Sequence, residues 1–336
     1  MPEAARSPDF TQLLKVLERQ APDRPVLFEL FLHGPAERYA MEHGAKSLVD
    51  VYAALGYDYA STVASDFDFP STLGSHRGAA KTHSLNDSPT ITDRQSFDAY
   101  PWVDPAACDY SRLEEALPEG MKLMVRGPCG VLENAIKLTG YDNLCLMLYD
   151  DPRLASDIFE RVGRGLAEYY RIAVQYGSVG LLMSNDDWGF NRQTMLSPAD
   201  MRKYVFPWHK EIVRAAHAAG KPAVLHSCGC FNDIIDDLYD MGFDGRHSYE
   251  DNIMPVEQAY ELFMGGKLPR GNMAVLGGID LHFLCTSTPE EIKRRSRDML
   301  ARASGRGGYA LGSGNSVPDF CPVENYLAMI SVIDEV

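Results

Sequence analysis

A single residue, Ser227, separates an imidazole from a thiol in the run Leu225-His226-Ser227-Cys228-Gly229-Cys230, directly after the apolar stretch 222–225. A neutral histidine nitrogen and a cysteine thiolate leaving a strand for a loop can chelate one soft divalent cation, and zinc takes nitrogen and sulfur donors in this way. Gly229 frees the backbone to turn at that point. The competing reading is a buried strand histidine beside inert cysteines.

Carboxylates and other polar residues recur at similar places along the chain. Asp186 and Asp187 follow the apolar run 179–183, where they would supply a general base or orient metal ligands. Asp280 ends a glycine-rich strand candidate, and Asp66 and Asp68 follow another, where they would meet a cationic substrate group. Asp66, Asp186, Asp187 and Asp280 are the catalytic candidates. Asp68, Arg126, Trp188, His247, Ser313 and Asn315 are the candidates for contacting substrate.

The elements that must position these residues alternate. Short apolar runs at 26–30, 57–63, 123–126, 179–184, 223–226, 244–247, 274–278 and 308–311 read as strands, several nearly all apolar, as strands covered on both faces should be. Between them lie helices with clear signals. Ser197-Pro198-Ala199-Asp200 and Thr288-Pro289-Glu290-Glu291 are capping boxes with proline in the first turn, and Cys321-Pro322-Val323-Glu324 opens the last helix similarly. In 151–176, Leu154, Ile158, Phe159, Val162, Leu166 and Tyr169 follow helical spacing.

This alternation predicts a parallel α/β fold with right-handed crossovers. No GxGxxG follows a strand, which argues against a doubly wound dinucleotide fold, and polar residues follow many strands rather than two. A single (β/α)8 TIM barrel spanning 1–336 gathers those strand ends on one face, so Asp66, Asp186, Asp187, His226, Cys228, Asp280 and Asn315 are expected to line one cavity. Residues 64–121, irregular and rich in Asp, Pro, Ser and His, are expected to form a lid or wall over the barrel mouth.

Composition narrows the class. A hydrophobic fraction of 45% and a charged fraction of 24% are those of a globular protein. A net charge of −15, with no basic patch, disfavours nucleic acid as a partner. No run of about 18 apolar residues suggests a membrane span, and the first residues lack a signal peptide's apolar core. Seven scattered cysteines point to free thiols in a reducing compartment, with the cytoplasm as the expected location. The oligomeric state is left open, a homodimer being one option.

From Asp186 onward the chain resembles the uroporphyrinogen decarboxylase superfamily. The residues that carry the likeness are Asp186-Asp187, Ser197-Pro198 with Pro207, Leu225-His226-Ser227-Cys228-Gly229, Gly277-Gly278-Ile279-Asp280, and Gly312-Ser313-Gly314-Asn315 before Pro322-Val323-Glu324-Asn325. Ser65-Asp66-Phe67 adds a looser match. The likeness is greatest to the branch whose zinc enzymes move methyl groups from corrinoid proteins to thiols. It implies a methyltransferase with Zn2+, a corrinoid (methylcobalamin or a corrinoid protein) as co-substrate, and a small-molecule acceptor or donor.

Two departures from the pattern matter. The decarboxylases grip substrate carboxylates with an arginine-rich motif, whereas Phe28-Glu29-Leu30-Phe31-Leu32-His33-Gly34 here has no arginine pair, and Ser313 stands where they have a histidine. The methyltransferases use His-x-Cys plus a distant cysteine in the glycine turn, where this chain has Asn315. Cys321 is then the nearest substitute as third ligand beside His226 and Cys228, with Cys230, Asp186 and Asp280 as other options. The alternative to methyl transfer is a metal-free decarboxylase or lyase acting on a non-porphyrin substrate, with Asp66 stabilising a developing cation.

Overall fold

A computed structural model describes residues 6–71, 85–86, 89–266 and 272–335. Seven strands form one sheet in chain order, every pair parallel: β1 (Tyr59–Val63), β2 (Lys122–Arg126), β3 (Val179–Asn185), β4 (Ala223–His226), β5 (Gly245–His247), β6 (Ala274–Leu276) and β7 (Tyr309–Ala310). Helices connect successive strands, and the curled sheet with its helical cover is TIM-barrel-like. Sequential order with parallel pairing makes neighbouring strand ends point the same way, which gathers loop residues from different strands on one rim.

The expected eighth strand, at 26–30, is not part of that sheet. It meets the strand after it in space through a single parallel bridge, Leu27 with Leu311, in which Phe28 N donates to Leu311 O at 2.7 Å and Leu311 N donates to Val26 O at 2.8 Å. On its other side, side chains of β1 take the backbone groups. Tyr59 donates its hydroxyl to Glu29 O at 2.6 Å and accepts Glu29 N at 2.7 Å, and Ser61 Oγ donates to Leu30 O at 2.5 Å. With those groups satisfied by hydroxyls, no backbone ladder forms between 26–30 and β1.

The expected helices form where their caps stand. The 22-residue helix Pro152–Ala173 is capped by Asp151, whose carboxylate accepts Leu154 N at 2.9 Å, and all six apolar positions read from its spacing are buried. Thr288 and Glu291 close a reciprocal capping box at the start of Pro289–Ala303. The helix expected after Ser197 is interrupted instead. One turn, Pro198–Asp200, passes into a π-helical stretch, Met201–Val205, before Phe206–Ala218. Pro207 has no N–H to give to the preceding turn, which accounts for the widened winding there.

Of the expected lid or wall, 72–84 and 87–88 lie outside the described residues. The described part carries a short helix, Arg94–Ala99, and packs its Trp102 against Phe69 and beneath Arg161 of the long helix.

Candidate functional site

β3 and β4 run side by side to the rim, with Asn185 in register with His226 and Asp186 N donating to His226 O at 2.9 Å. Successive side chains leaving a strand point to opposite faces. Asp186 therefore turns one way and Asp187 the other.

Asp186 is fully buried, and its oxygens accept Leu132 N and Glu133 N, each at 2.9 Å, at the start of helix Val131–Thr139. It also contacts His209 Nε2 at 2.9 Å, whose Nδ1 lies 2.8 Å from Ser184 Oγ. These partners use both carboxylate oxygens, so the geometry makes Asp186 an anchor behind the site. Gly130 is required for the approach, because a Cβ there would stand 2.1 Å from that of Asp186.

Asp187 faces the loop after β4. Its Oδ1 accepts Cys228 N at 2.9 Å and lies 3.9 Å from His226 Nε2, while Cys228 Sγ lies 3.6 Å from the same Nε2. Asp187, His226 and Cys228 thus offer one oxygen, one nitrogen and one sulfur, all within 4.8 Å of one another. Metal bonds of about 2.0–2.3 Å at tetrahedral angles put donors roughly 3.3–3.7 Å apart, so the trio fits a zinc-sized cation with small adjustments and leaves a fourth position.

The proton positions on two histidines follow from their partners. His247 Nε2 lies 3.0 Å from Ser313 O, an acceptor only, so that nitrogen carries hydrogen. His247 Nδ1 lies 2.7 Å from His226 Nδ1. Burial pushes both rings down, His226 to about 3 and His247 well below its usual range, so both are neutral at pH 7. A neutral His247 protonated on Nε2 accepts at Nδ1, which makes His226 Nδ1 the donor. His226 Nε2 is left with a bare lone pair beside Cys228 and Asp187, the form that binds metal.

Cys228 is held from several sides. Asn315 Nδ2 donates to its sulfur at 2.9 Å, and the amide is fixed in that sense because Asn315 Oδ1 accepts Ser316 N at 2.7 Å. Burial and then the Asp187 charge push the thiol up, which keeps it protonated unless a cation arrives. Arg246, buried on β5, donates to Ser227 O at 2.9 Å and to Ser248 O at 2.5 Å, with its guanidinium 3.7 Å above the Phe231 ring. At Gly229, φ is +83°, and a Cβ would meet Gly189 O at 2.0 Å, so only glycine lets the loop close on the neighbouring hairpin.

Behind Asn315 stands Glu29, fully buried and pushed up to about 8 by desolvation. Ser313 N donates to its Oε1 at 2.8 Å. Ser313 Oγ has a single proton but lies 2.5 Å from both Glu29 Oε2 and Asn315 O. A protonated Glu29 resolves this, donating to Ser313 Oγ, which in turn donates to Asn315 O. Glu250 accepts Gly229 N and the Asn315 side chain, and burial raises it too. Glu133 accepts Gly130 N at 3.0 Å and the backbone of Asp187, and burial followed by Asp187 pushes it up to about 8.

Two clefts meet at the Cys228–Asn315 pair. One, of about 550 Å3, is lined by Gly189, Phe190, Arg192, Gln193, Cys228 and Glu250; the other, of about 580 Å3, by Glu250, Asp280, His282, Phe283 and Asn315.

The remaining sequence-derived candidates are distributed as follows. Cys321 does not join the trio. Proline at 322 starts helix Val323–Ser331, and the Cys321 sulfur is turned to Cys285 and to Pro322 O at 3.7 Å, so the third donor of the cluster is Asp187. Asp280 caps helix Leu281–Thr286 and accepts Asp251 N at 3.0 Å. Asp66 is exposed and touches Cys108, and Asp68 pairs with Lys137 at 2.9 Å. Trp188 is buried against Phe206 and His209, beneath the site. Arg126 ends β2 with its guanidinium 5.0 Å from the Phe31 ring.

Glu29, Glu133, Arg246 and Glu250 were not anticipated from the sequence. Only Glu133 left a trace, as the fourth residue of Gly130-x-x-Glu133 at a helix start.

A TIM-barrel-like sheet with a histidine–cysteine–carboxylate cluster on its rim defines the class. Residues 110–336 match the family described as Uroporphyrinogen decarboxylase (URO-D), and the chain belongs to that family. Among curated relatives it is 26% identical over 189 residues to "Uroporphyrinogen decarboxylase" of Chloroflexus aggregans, covering 55% of this chain and 49% of that one. The same name belongs to a Thermus thermophilus protein, 25% identical over 190 residues, covering 56% and 51%. The chain thus spans about half the length of the curated relatives it matches. Among solved structures, a methyltransferase from Methanosarcina mazei covers 97% of this chain and 98% of its own, with TM-score 0.66 and 16% identity, a likeness of fold. Among the described residues no helix is long and apolar enough to cross a membrane.

Proposed function

We propose that this protein is a methyltransferase that moves a methyl group between a corrinoid and a small molecule, with zinc held by Asp187, His226 and Cys228. The observation that carries this reading is the convergence of those three donors with the His226 Nε2 lone pair turned toward the other two. Zinc in that position supplies Lewis acidity that holds a substrate thiol as thiolate near neutral pH.

The chain's own residues have separate tasks. His247 fixes the His226 tautomer, and Asn315 donates to the Cys228 sulfur, which favours the anionic form needed in a metal ligand. The cleft beside Cys228 and Glu250 receives the small molecule. The corrinoid, free or carried by a protein partner, is the second substrate, and Asp280 and Ser313 support the walls rather than the reacting atoms. All seven cysteines are free, in keeping with a reducing, cytoplasmic setting.

A metal-free decarboxylase reading keeps one point in its favour: the curated relatives carry that name. The test is demethylation of methylcobalamin against a panel of thiols, with zinc-loaded and chelator-stripped protein. Zinc-dependent turnover supports methyl transfer. Equal turnover after stripping removes zinc from the methyl transfer, and no turnover with any thiol returns the decarboxylase reading.

A further inference from the structure

Among the described residues, Arg126 has no counter-ion. Its Nε is buried without a hydrogen-bond partner, and among the described residues no carboxylate pairs with its guanidinium. The hydroxyls around it are committed elsewhere. Tyr52 accepts Leu32 N at 2.8 Å, Tyr169 donates to the Arg126 carbonyl at 2.8 Å, and Tyr170 donates to Met183 O at 2.6 Å. A chain with a net charge of −15 has many acids, yet among the described residues none pairs with this guanidinium. An arginine left half-buried and unpaired is costly unless something else satisfies it.

Its surroundings suit a ligand. The guanidinium lies over the Phe31 ring, and His33, whose Nδ1 is also buried and unpartnered, packs against the same ring at 4.8 Å. Arg126 pairs in register with Met183 on β3, two residues before Asn185, which pairs with His226. Gly127 N donates to Asn185 Oδ1 at 2.9 Å, tying the two positions together. The cation therefore stands on the same rim as His226, two strands away.

We propose that Arg126, with Phe31 and His33, seats an oxyanion group of a substrate. The planar fork of a guanidinium matches a carboxylate or a phosphate, and the ring face beside it favours an aromatic or otherwise flat neighbour. Two sources share this chemistry: the carboxylate of a small aromatic acid and the phosphodiester of a corrinoid's nucleotide loop. The first is independent of metal and methyl transfer, and only the second rests on the reading above.

Binding of benzoate, methylcobalamin and methylcobinamide, which lacks the phosphodiester, to the whole wild-type protein and to Arg126→Gln and Arg126→Lys separates these cases. Loss of benzoate affinity by about 10- to 100-fold in Arg126→Gln, with a smaller loss in Arg126→Lys, identifies a carboxylate seat. A similar loss for methylcobalamin, with methylcobinamide unaffected, identifies the phosphodiester instead. Without ligand, Arg126→Gln should melt no lower than the wild type, whereas an arginine serving only structure would lower the melting temperature. Unchanged affinity for every probe in Arg126→Gln, or no wild-type binding of any, overturns the proposal. Should that variant fail to fold, phenylglyoxal labelling of wild-type Arg126, read by mass spectrometry, decides: protection by benzoate or methylcobalamin supports the seat, and equal labelling overturns it.

Discussion

His226 and His247 face each other nitrogen to nitrogen, Nδ1 to Nδ1 at 2.7 Å, and the Ser313 carbonyl at the far side of His247 sets which of them donates. Binding of a cation at His226 Nε2 thus depends on a residue that does not touch it.

Replacing His247 with phenylalanine keeps a ring in the same space but removes the acceptor for His226 Nδ1–H. Zinc affinity, measured by competition with a chromophoric chelator, is expected to fall about 10- to 100-fold, the usual cost of losing an outer partner. Near-ultraviolet circular dichroism should stay that of the wild type. Unchanged affinity in a folded variant would remove His247 from the account.

The third ligand is separable by a pair of variants. Asp187→Asn keeps the acceptor for Cys228 N and lowers the charge, and it should lose zinc on dialysis. Cys321→Ser should retain zinc at wild-type affinity, because its sulfur faces Cys285 and the Pro322 carbonyl. The reverse pattern would restore Cys321 as a ligand.

Much of this arrangement was legible in the sequence, for identifiable reasons. Strand ends could be read because parallel strands covered on both faces are short and nearly all apolar, and a polar residue at or just past such an end is carried toward the rim. Asp187, His226 and Cys228 are of this kind, whereas Asn315, four residues past 308–311, stands out through the glycine turn of the family resemblance. The same rule could not tell Asp186 from Asp187, since adjacent residues differ only in which face they take, and that depends on helix Val131–Thr139 lying where Asp186 can cap it. Glu29 was hidden because a carboxyl in an apolar run gains its role only from Ser313, 284 residues away. The segment around it read as a strand for a sound reason, but hydroxyls of Tyr59 and Ser61 replaced the ladder that apolar patterning alone implies.

Glu29 also gives a pH dependence with a fixed sign. Its folded value, about 8, lies above the ordinary 4.5, so the folded state holds a proton that the unfolded chain has released. Its contribution to stability is fully present below about pH 4.5 and is lost as pH rises through about 8, by up to about 1.4 kcal/mol per unit in that window. Glu133, also pushed up to about 8, acts in the same direction. Glu29→Gln mimics the protonated acid, so its melting temperature should fall less between pH 5.5 and 8.5 than that of the wild type, by roughly the contribution of this one group. Parallel pH profiles for the two proteins would mean that Glu29 is ionised in the fold.

Cys228→Ser should fold normally, since β4 beneath it is unchanged, yet release zinc and lose thiol-dependent demethylation of methylcobalamin. Full activity in that variant would exclude the sulfur from the chemistry.

The donor set itself is read most directly by zinc K-edge X-ray absorption on the zinc-loaded protein without substrate. One sulfur at about 2.3 Å together with two or three nitrogen or oxygen donors at about 2.0–2.2 Å is the expected spectrum. Two sulfur donors, or a protein that retains no zinc at all, would contradict the Asp187–His226–Cys228 centre.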